Sequence, residues 1–146
     1  MKLLITGAKG FVGKNLVASL EAIRDGKDKV RRIDRLENPD ELVIYEYDVE
    51  NTEEELDRFC ADCDFVFNLA GVNRPKDQSE FMAGNFGFAS QLLACLKKHE
   101  NRAPVILSSS VQASLEGRYA GSEYGKSKRA GEELFFAYAR ETGAKV

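Results

Sequence analysis

At 146 residues, with 43% hydrophobic and 31% charged side chains, the chain has the size and make-up of one globular domain with a real core. A net charge of −3 without a long basic block argues against nucleic acid, and no apolar run reaches membrane length. The N-terminus runs into a strand pattern with no signal-peptide pattern, so a cytoplasmic location is expected and a membrane partner is not.

Leu3-Leu4-Ile5 reads as a short buried strand. Gly7, Gly10 and Gly13 follow, and then Lys14 to Arg24 carries Leu16, Val17, Leu20 and Ile23 at helical spacing. Three glycines in a loop mean little alone. Between a strand and a helix they form a dinucleotide fingerprint: Gly7 for a tight turn, Gly10 for backbone approach to a pyrophosphate, Gly13 for close helix–strand packing. The helix N-terminus then offers unpaired N–H groups to phosphate, with Phe11 and Val12 beside it.

A second strand is expected at about 29–34, with Val30 and Ile33 as its apolar residues. Asp34 falls roughly 20 residues beyond Gly13, where a dinucleotide fold meets the adenosine ribose. An acid there accepts from the 2′-hydroxyl of NAD, whereas Arg35 would pair with the 2′-phosphate of NADP. Arg31 and Arg32 tilt the local field positive, so the expected cofactor is NADP, with NAD as the alternative.

Leu42–Tyr47 reads as a third strand ending in Asp48-Val49. Asn51-Thr52 followed by three glutamates marks a helix start, with that helix running to about Ala61. Cys60 and Cys63 make a C-x-x-C, but there is no second pair and His99 is the one histidine, so they read as semi-buried filler and no metal is expected. Asp64 to Leu69 is a fourth, doubly buried strand running into Ala70-Gly71, small residues across which a cofactor could lie. Asn73-Arg74 opens a polar loop. Glu80–His99 is expected to be a long helix, weakened in its first half by Gly84 and Gly87.

Pro104–Ser110 is the fifth strand and ends in Ser108-Ser109-Ser110; after a loop, Ser122 or a neighbour starts the last helix, which ends near Gly143. Ala144-Lys145-Val146 resembles the start of a sixth strand. Alternating strands and helices imply right-handed crossovers and a parallel sheet covered on both faces. The expected fold is therefore α/β: a Rossmann-like, doubly wound, three-layer α/β/α domain over 1–146. It should have five strands and a sixth cut short, as in the N-terminal part of a longer chain.

Tyr124 and Lys128, four apart, share a helix face. A phenol with a pKa of about 10 is a poor acid–base group at neutral pH, and a neighbouring ammonium favours its anion. A serine hydroxyl from the strand end can hold the same substrate oxygen. Alone, Y-x-x-x-K is weak; behind the glycine turn and the serine strand it points to carbonyl chemistry.

The set Thr6-Gly7, Gly10, Gly13, Asp48-Val49, Asn68-Leu69-Ala70-Gly71, Ser108–Ser110 and Tyr124–Lys128, in this order and at these spacings, resembles the extended short-chain dehydrogenase/reductase family. The resemblance implies that Asp48 meets the adenine edge with Val49 on its ring, and that Leu69, Ala70 and Gly71 border the cofactor. Ser110, Tyr124 and Lys128 would be the catalytic set, Tyr124 and Lys128 also touching the cofactor. Asn73, Arg74 and Ser110 would meet the substrate. Leu69–Pro75, Gly84-Asn85 and Ser108–Ala113 are similar to a narrower group, the capsule and O-antigen reductases acting on the 4-keto group of a UDP-linked deoxy amino sugar. That group implies a UDP-sugar substrate and a homodimer for the full-length protein. The family's dehydratases carry an Asp-Glu pair where this chain has Val111 and Gln112, which speaks against water elimination. A nucleotide-sugar 4-epimerase, which shares Ser, Tyr and Lys, and a non-catalytic NADP-binding module stay open as alternatives.

Overall fold

The fold is seen in a computed structural model that describes residues 1–28, 37–72, 77, 79–114 and 121–146. Strand β1, Lys2–Thr6, is apolar through Leu3, Leu4 and Ile5 and buried on both faces, as the continuous run requires. It pairs in parallel with β2, Val43–Tyr47, on one side and with β3, Phe65–Asn68, on the other, and β4, Val105–Leu107, follows β3. The order is β2-β1-β3-β4. Beyond β4, the Val105 N–H donates to the Lys145 carbonyl at 2.9 Å, so the last residues of the chain begin a further pairing at that edge.

The helices lie in two layers. Helix α1, Phe11–Arg24, packs Val17 and Leu20 on Leu3 and Ile5. The opposite face of the sheet, through Leu4, Val66 and Val105, meets α2 (Glu53–Asp62), α4 (Phe88–Lys98) and α5 (Glu123–Thr142). Leu56, Leu92, Leu96 and Phe135 are fully buried there. Each such side chain contributes about 1.5–3 kcal/mol by leaving water. This is the expected α/β/α sandwich, with four strands among the described residues.

Local chemistry explains the helix ends. The Thr52 hydroxyl accepts from Glu55 N–H at 3.3 Å while the Glu55 carboxylate accepts from Thr52 N–H at 2.9 Å, a complete capping box. Ser122 caps α5 by accepting from Gly125 N–H at 3.0 Å, and Gly143, at φ 76°, closes it in the left-handed region.

One expectation changes. The long helix over 80–99 is instead one helical turn, α3 (Ser79–Phe81), a π-helical stretch (Met82–Gly87) and then α4. The wide turn places Gly84 against Val72, where an added Cβ would lie 2.2 Å from the valine Cγ2. Beside β1 lies β2, paired residue by residue from Lys2↔Val43 to Thr6↔Tyr47. Alternation explains the fit: Tyr47 enters the α2–α4 core, and Ile44 the α1 core on the other face. The 29–34 segment itself lies outside the described residues, as do Asp34 and Arg35.

Among the described residues, no helix is long and apolar enough to cross a membrane, and no group of three or more His, Cys, Asp or Glu could hold a metal. Cys60 and Cys63 are buried free thiols. Burial pushes both upward, Cys63 to about 11, so both stay protonated and inert at neutral pH.

Candidate active site

In a parallel sheet the carboxyl ends of the strands face one edge, and the loops leaving them form the binding crevice. Here that edge gathers the turn after β1, Asp48-Val49 after β2, Leu69–Val72 after β3 and Ser108–Ser110 after β4.

The first turn is built for close backbone approach. Gly7 sits at φ 70°, and an added Cβ would lie 2.7 Å from the Ala70 nitrogen. At Gly13 an added Cβ would lie 2.2 Å from the Gly7 carbonyl, so α1 starts directly on the turn. Gly10 occupies the N-cap without any side-chain cap, which leaves the first-turn N–H groups of α1 to the crevice. Phe11 and Val12 project from that turn at 87% and 59% exposure, open to a ligand laid across it. Beneath, the buried Thr6 hydroxyl donates to Asn68 Oδ1 at 2.7 Å and accepts from Ala70 N–H at 3.3 Å, locking the ends of β1 and β3 together.

Between the turn and the β3 end lies a cleft of ≈ 260 Å³ lined by Gly7, Asp48, Val49, Leu69, Ala70 and Gly71 among others. These six residues, all assigned to the cofactor from sequence, therefore share one wall system. A glycine turn whose Cβ space is taken by backbone, leading to an uncapped helix, fits a pyrophosphate; a mostly apolar cleft beside it fits an adenosine. A larger open groove of ≈ 480 Å³ between α2 and α4 is lined by side chains such as Glu53, Asp57, Arg58 and Lys98 and includes none of the strand-end residues. None of the residues expected from sequence to meet a ligand lines that groove.

Tyr124 and Lys128 stand on α5, and Ser110 follows β4, the strand whose end Lys128 reaches. Ser110 follows β4 and caps the 3₁₀ turn Val111–Ala113, accepting from Gln112 N–H at 3.2 Å. Helix α5 starts hard against that turn: an added Cβ on Gly125 would lie 2.5 Å from the Gln112 carbonyl, and the Ser122 hydroxyl donates to Gln112 Oε1 at 3.1 Å. That contact brings Tyr124 to the serine-bearing end of the sheet. Lys128 Nζ lies 5.8 Å from the Tyr124 ring centroid and donates to the Ser108 carbonyl at 3.0 Å. Burial pulls the Lys128 pKa below its ordinary value. Phe81 meets the Tyr124 ring edge-on at 5.5 Å between centroids.

One residue quoted from sequence without a role proves central. Asn85, buried in the π-helical stretch, accepts from Val72 N–H at 2.9 Å and donates to Ser127 Oγ at 2.9 Å. Ser127 in turn donates to the Tyr124 carbonyl at 2.8 Å. Asn85 thus ties the cofactor-side segment Gly71-Val72 to the helix that carries Tyr124 and Lys128. Gly71 stands between them, since a Cβ there would lie 2.7 Å from Asn85 Oδ1 and 3.1 Å from Lys128 Nζ. The only advance signal is a polar residue set between two glycines in an otherwise apolar helix pattern. Asp34, Arg35, Asn73 and Arg74 lie outside the described residues.

The profile of the family described as "NAD dependent epimerase/dehydratase family" matches residues 3–146. A UDP-2-acetamido-2,6-beta-L-arabino-hexul-4-ose reductase of Pseudomonas aeruginosa is 34% identical over 146 residues, all of this chain and 34% of that protein. The crystal structure of the capsular polysaccharide assembling protein CapF from Staphylococcus aureus superposes with a TM-score of 0.72 at 38% identity, covering 100% of this chain and 34% of that one. A UDP-glucuronic acid 4-epimerase of Bacillus cereus in complex with NAD shares the fold, with a TM-score of 0.69 at 24% identity over 99% of this chain and 54% of that one. The chain spans about a third of the length of the first two proteins.

Proposed function

Because this chain belongs to the NAD dependent epimerase/dehydratase family, we propose that it is the dinucleotide-binding part of an oxidoreductase that reduces the 4-keto group of a UDP-linked deoxy amino sugar for capsule or O-antigen synthesis. The observation that carries this reading is that Lys128, beside the Tyr124 ring, reaches the Ser108 carbonyl at the end of the strand that leads into Ser110. The similarity to a protein named as a hexulose 4-reductase supports the choice of substrate class. A cytoplasmic setting and a homodimer of the full-length protein belong to the same proposal.

A bound reduced nicotinamide supplies the hydride. The protein's part is the proton and the geometry. As hydride reaches the carbonyl carbon, the carbonyl oxygen gains negative charge and needs a proton. Tyr124 gives its phenolic proton to that oxygen, and the Lys128 ammonium beside the ring stabilises the phenolate left behind. Ser110, whose oxygen already caps the 3₁₀ turn, keeps a hydroxyl proton for the same oxygen and orients the carbonyl. Val111 and Gln112 follow Ser110, and neither can act as an acid or base, which favours reduction over dehydration.

The test is turnover by the protein carrying every residue its gene encodes, with NADH or NADPH and a UDP-4-keto-2-acetamido-2,6-dideoxyhexose, followed by loss of nicotinamide absorbance. Tyr124→Phe should lower the rate by roughly 10²–10⁴, the usual contribution of a positioned acid, with cofactor affinity nearly unchanged. Sugar inversion without net cofactor consumption would identify an epimerase. Tight dinucleotide binding with no chemistry would identify a sensor. Full activity in Tyr124→Phe would remove the tyrosine from the mechanism.

A further inference from the structure

The serine run after β4 is held one residue at a time, and α5 supplies two of the holds. Ser108 N–H donates to the Asn68 carbonyl at the end of β3 at 3.0 Å, and the Ser108 carbonyl accepts from Lys128 Nζ at 3.0 Å. The Ser109 hydroxyl donates to Glu132 Oε1 at 2.5 Å, the length of a hydrogen bond onto a charged acceptor. Ser110 then caps the 3₁₀ turn that follows it. Lys128 and Glu132, about one helical turn apart on α5, thus grip consecutive residues of one strand end.

Spacing alone would pair Lys128 with Glu132. Charged residues four apart on a helix are neighbours, and one position further along α5, Arg129 and Glu133 form such an ion pair at 3.5 Å. Glu132 instead turns to Ser109, and among the described residues Lys128 has no carboxylate partner. From the elements packed against it, Asn68, Ala70, Asn85 and Ser108 face Lys128, and none of them carries a charge. On α5 itself the titratable side chains one turn away are Tyr124 and Glu132. The ammonium is therefore left to the Tyr124 ring, 5.8 Å away.

The partner that Glu132 takes has two consequences. On Ser109, it fastens the strand end that leads into Ser110 to the helix that carries Tyr124. On Lys128, it would release that strand end and offset the cation that a phenolate at Tyr124 needs.

We propose that Glu132 is a positioning residue for the Tyr124–Lys128 pair: by accepting from Ser109 it fastens the serine-bearing strand end to α5, and the same bond keeps it off Lys128. The proposal rests on the reductase mechanism given above, in which Glu132 acts only through Ser109 and Lys128.

The experiment is steady-state turnover of the full-length protein with NADH or NADPH and the UDP-4-keto sugar, as a function of pH. It compares the parent with Glu132→Ala, Glu132→Gln, Ser109→Ala and the double variant Ser109→Ala/Glu132→Gln. Glu132→Ala should lower kcat roughly 10- to 100-fold, the usual cost of misplacing a reacting group, with dinucleotide affinity by calorimetry little changed. Glu132→Gln keeps an oxygen for the Ser109 hydroxyl and should recover most of that loss. Ser109→Ala frees Glu132 to pair with Lys128. Its kcat should fall, and the alkaline limb should move to higher pH, because a neighbouring carboxylate favours the ammonium. The double variant removes that carboxylate, so the limb should return to the parent position while kcat stays low. A merely structural bond would lower kcat in Ser109→Ala without moving the limb, and that result would overturn the proposal. Parental kcat in Glu132→Ala would overturn it too, and if that variant does not fold, the limb of Ser109→Ala still decides. Both of those outcomes leave the reductase reading standing, because the parent turns over. A parent that binds dinucleotide without turnover would remove that reading and this proposal together.

Discussion

Replacing Asn85 with alanine should loosen the fold and the cofactor cleft at once. Asn85 is 8% exposed, and its amide holds two groups from distant parts of the chain. Without it, Val72 N–H loses its acceptor inside the protein, a loss that costs about 1–3 kcal/mol when no replacement is found. Ser127 keeps its bond to the Tyr124 carbonyl at 2.8 Å and loses only a donor, about 0.5–1.5 kcal/mol. Alanine recovers roughly 0.5 kcal/mol of helix propensity. The net loss is about 1–4 kcal/mol, a large share of the roughly 5–15 kcal/mol that holds a domain folded. For a chain of this length that is a fall in Tm of roughly 2–16 °C. Urea unfolding followed by circular dichroism measures it directly, with the dependence on urea unchanged if only the native contacts are lost. Because Val72 and Gly71 line the cleft, NADH affinity should fall in the same variant at temperatures where it remains folded. Asn85→Asp, which keeps the acceptor for Val72 N–H, should recover part of the stability. Loss of less than about 0.5 kcal/mol in Asn85→Ala would mean that water replaces the amide at no cost, and the bridge between cleft and helix would carry no energy.

Gly13→Ala should abolish dinucleotide binding and lower stability, because its Cβ would lie 2.2 Å from the Gly7 carbonyl, a backbone atom that cannot yield cheaply; titration and thermal unfolding check both. The ammonium of Lys128 is disfavoured by burial, so its charge is lost at a lower pH than for an ordinary lysine. Any activity needing that charge should accordingly fall on the alkaline side below the usual lysine range, and Lys128→Arg should shift that limb upward. The same depression gives the unfolded chain the higher proton affinity, so the penalty of burying Lys128 is present at neutral pH and fades as pH rises through the folded pKa towards 10.5. In the native protein a thiol reagent should modify half-buried Cys95 well before Cys60 and Cys63, and mass spectrometry of the labelled chain identifies the order. Rapid labelling of Cys60 would contradict its burial.

What could be read from sequence was local. The strand–glycine–helix start depends on residues within one unit, and Gly7, Gly10 and Gly13 stand where their spacing put them. Tyr124 and Lys128 share a face because a helix repeats every 3.6 residues, and Ser110 caps the 3₁₀ turn against which that helix starts. What could not be read was non-local. Nothing within Val43–Tyr47 says that it lies next to β1; pairing across some forty residues decides it, from Lys2↔Val43 to Thr6↔Tyr47. That pairing places Asp48 at the end of a strand beside the glycine turn, where its carboxylate accepts from Lys9 N–H. Asn85 was hidden for the same reason, since its partners lie 13 and 42 residues away. Gly84 and Gly87 signalled only a weak helix. The π-helical turn they permit is fixed by Val72 packing on Gly84 and by Val72 N–H bonding to Asn85, contacts that exist only once the sheet has formed. The Tyr124–Lys128 pair is thus set by helix periodicity, while the cleft and the Asn85 bridge beside it depend on tertiary contacts. If the proposed mechanism holds, substitutions at Tyr124 and Lys128 should therefore act mainly on chemistry, and substitutions at Asn85 mainly on stability and on how firmly the cleft binds.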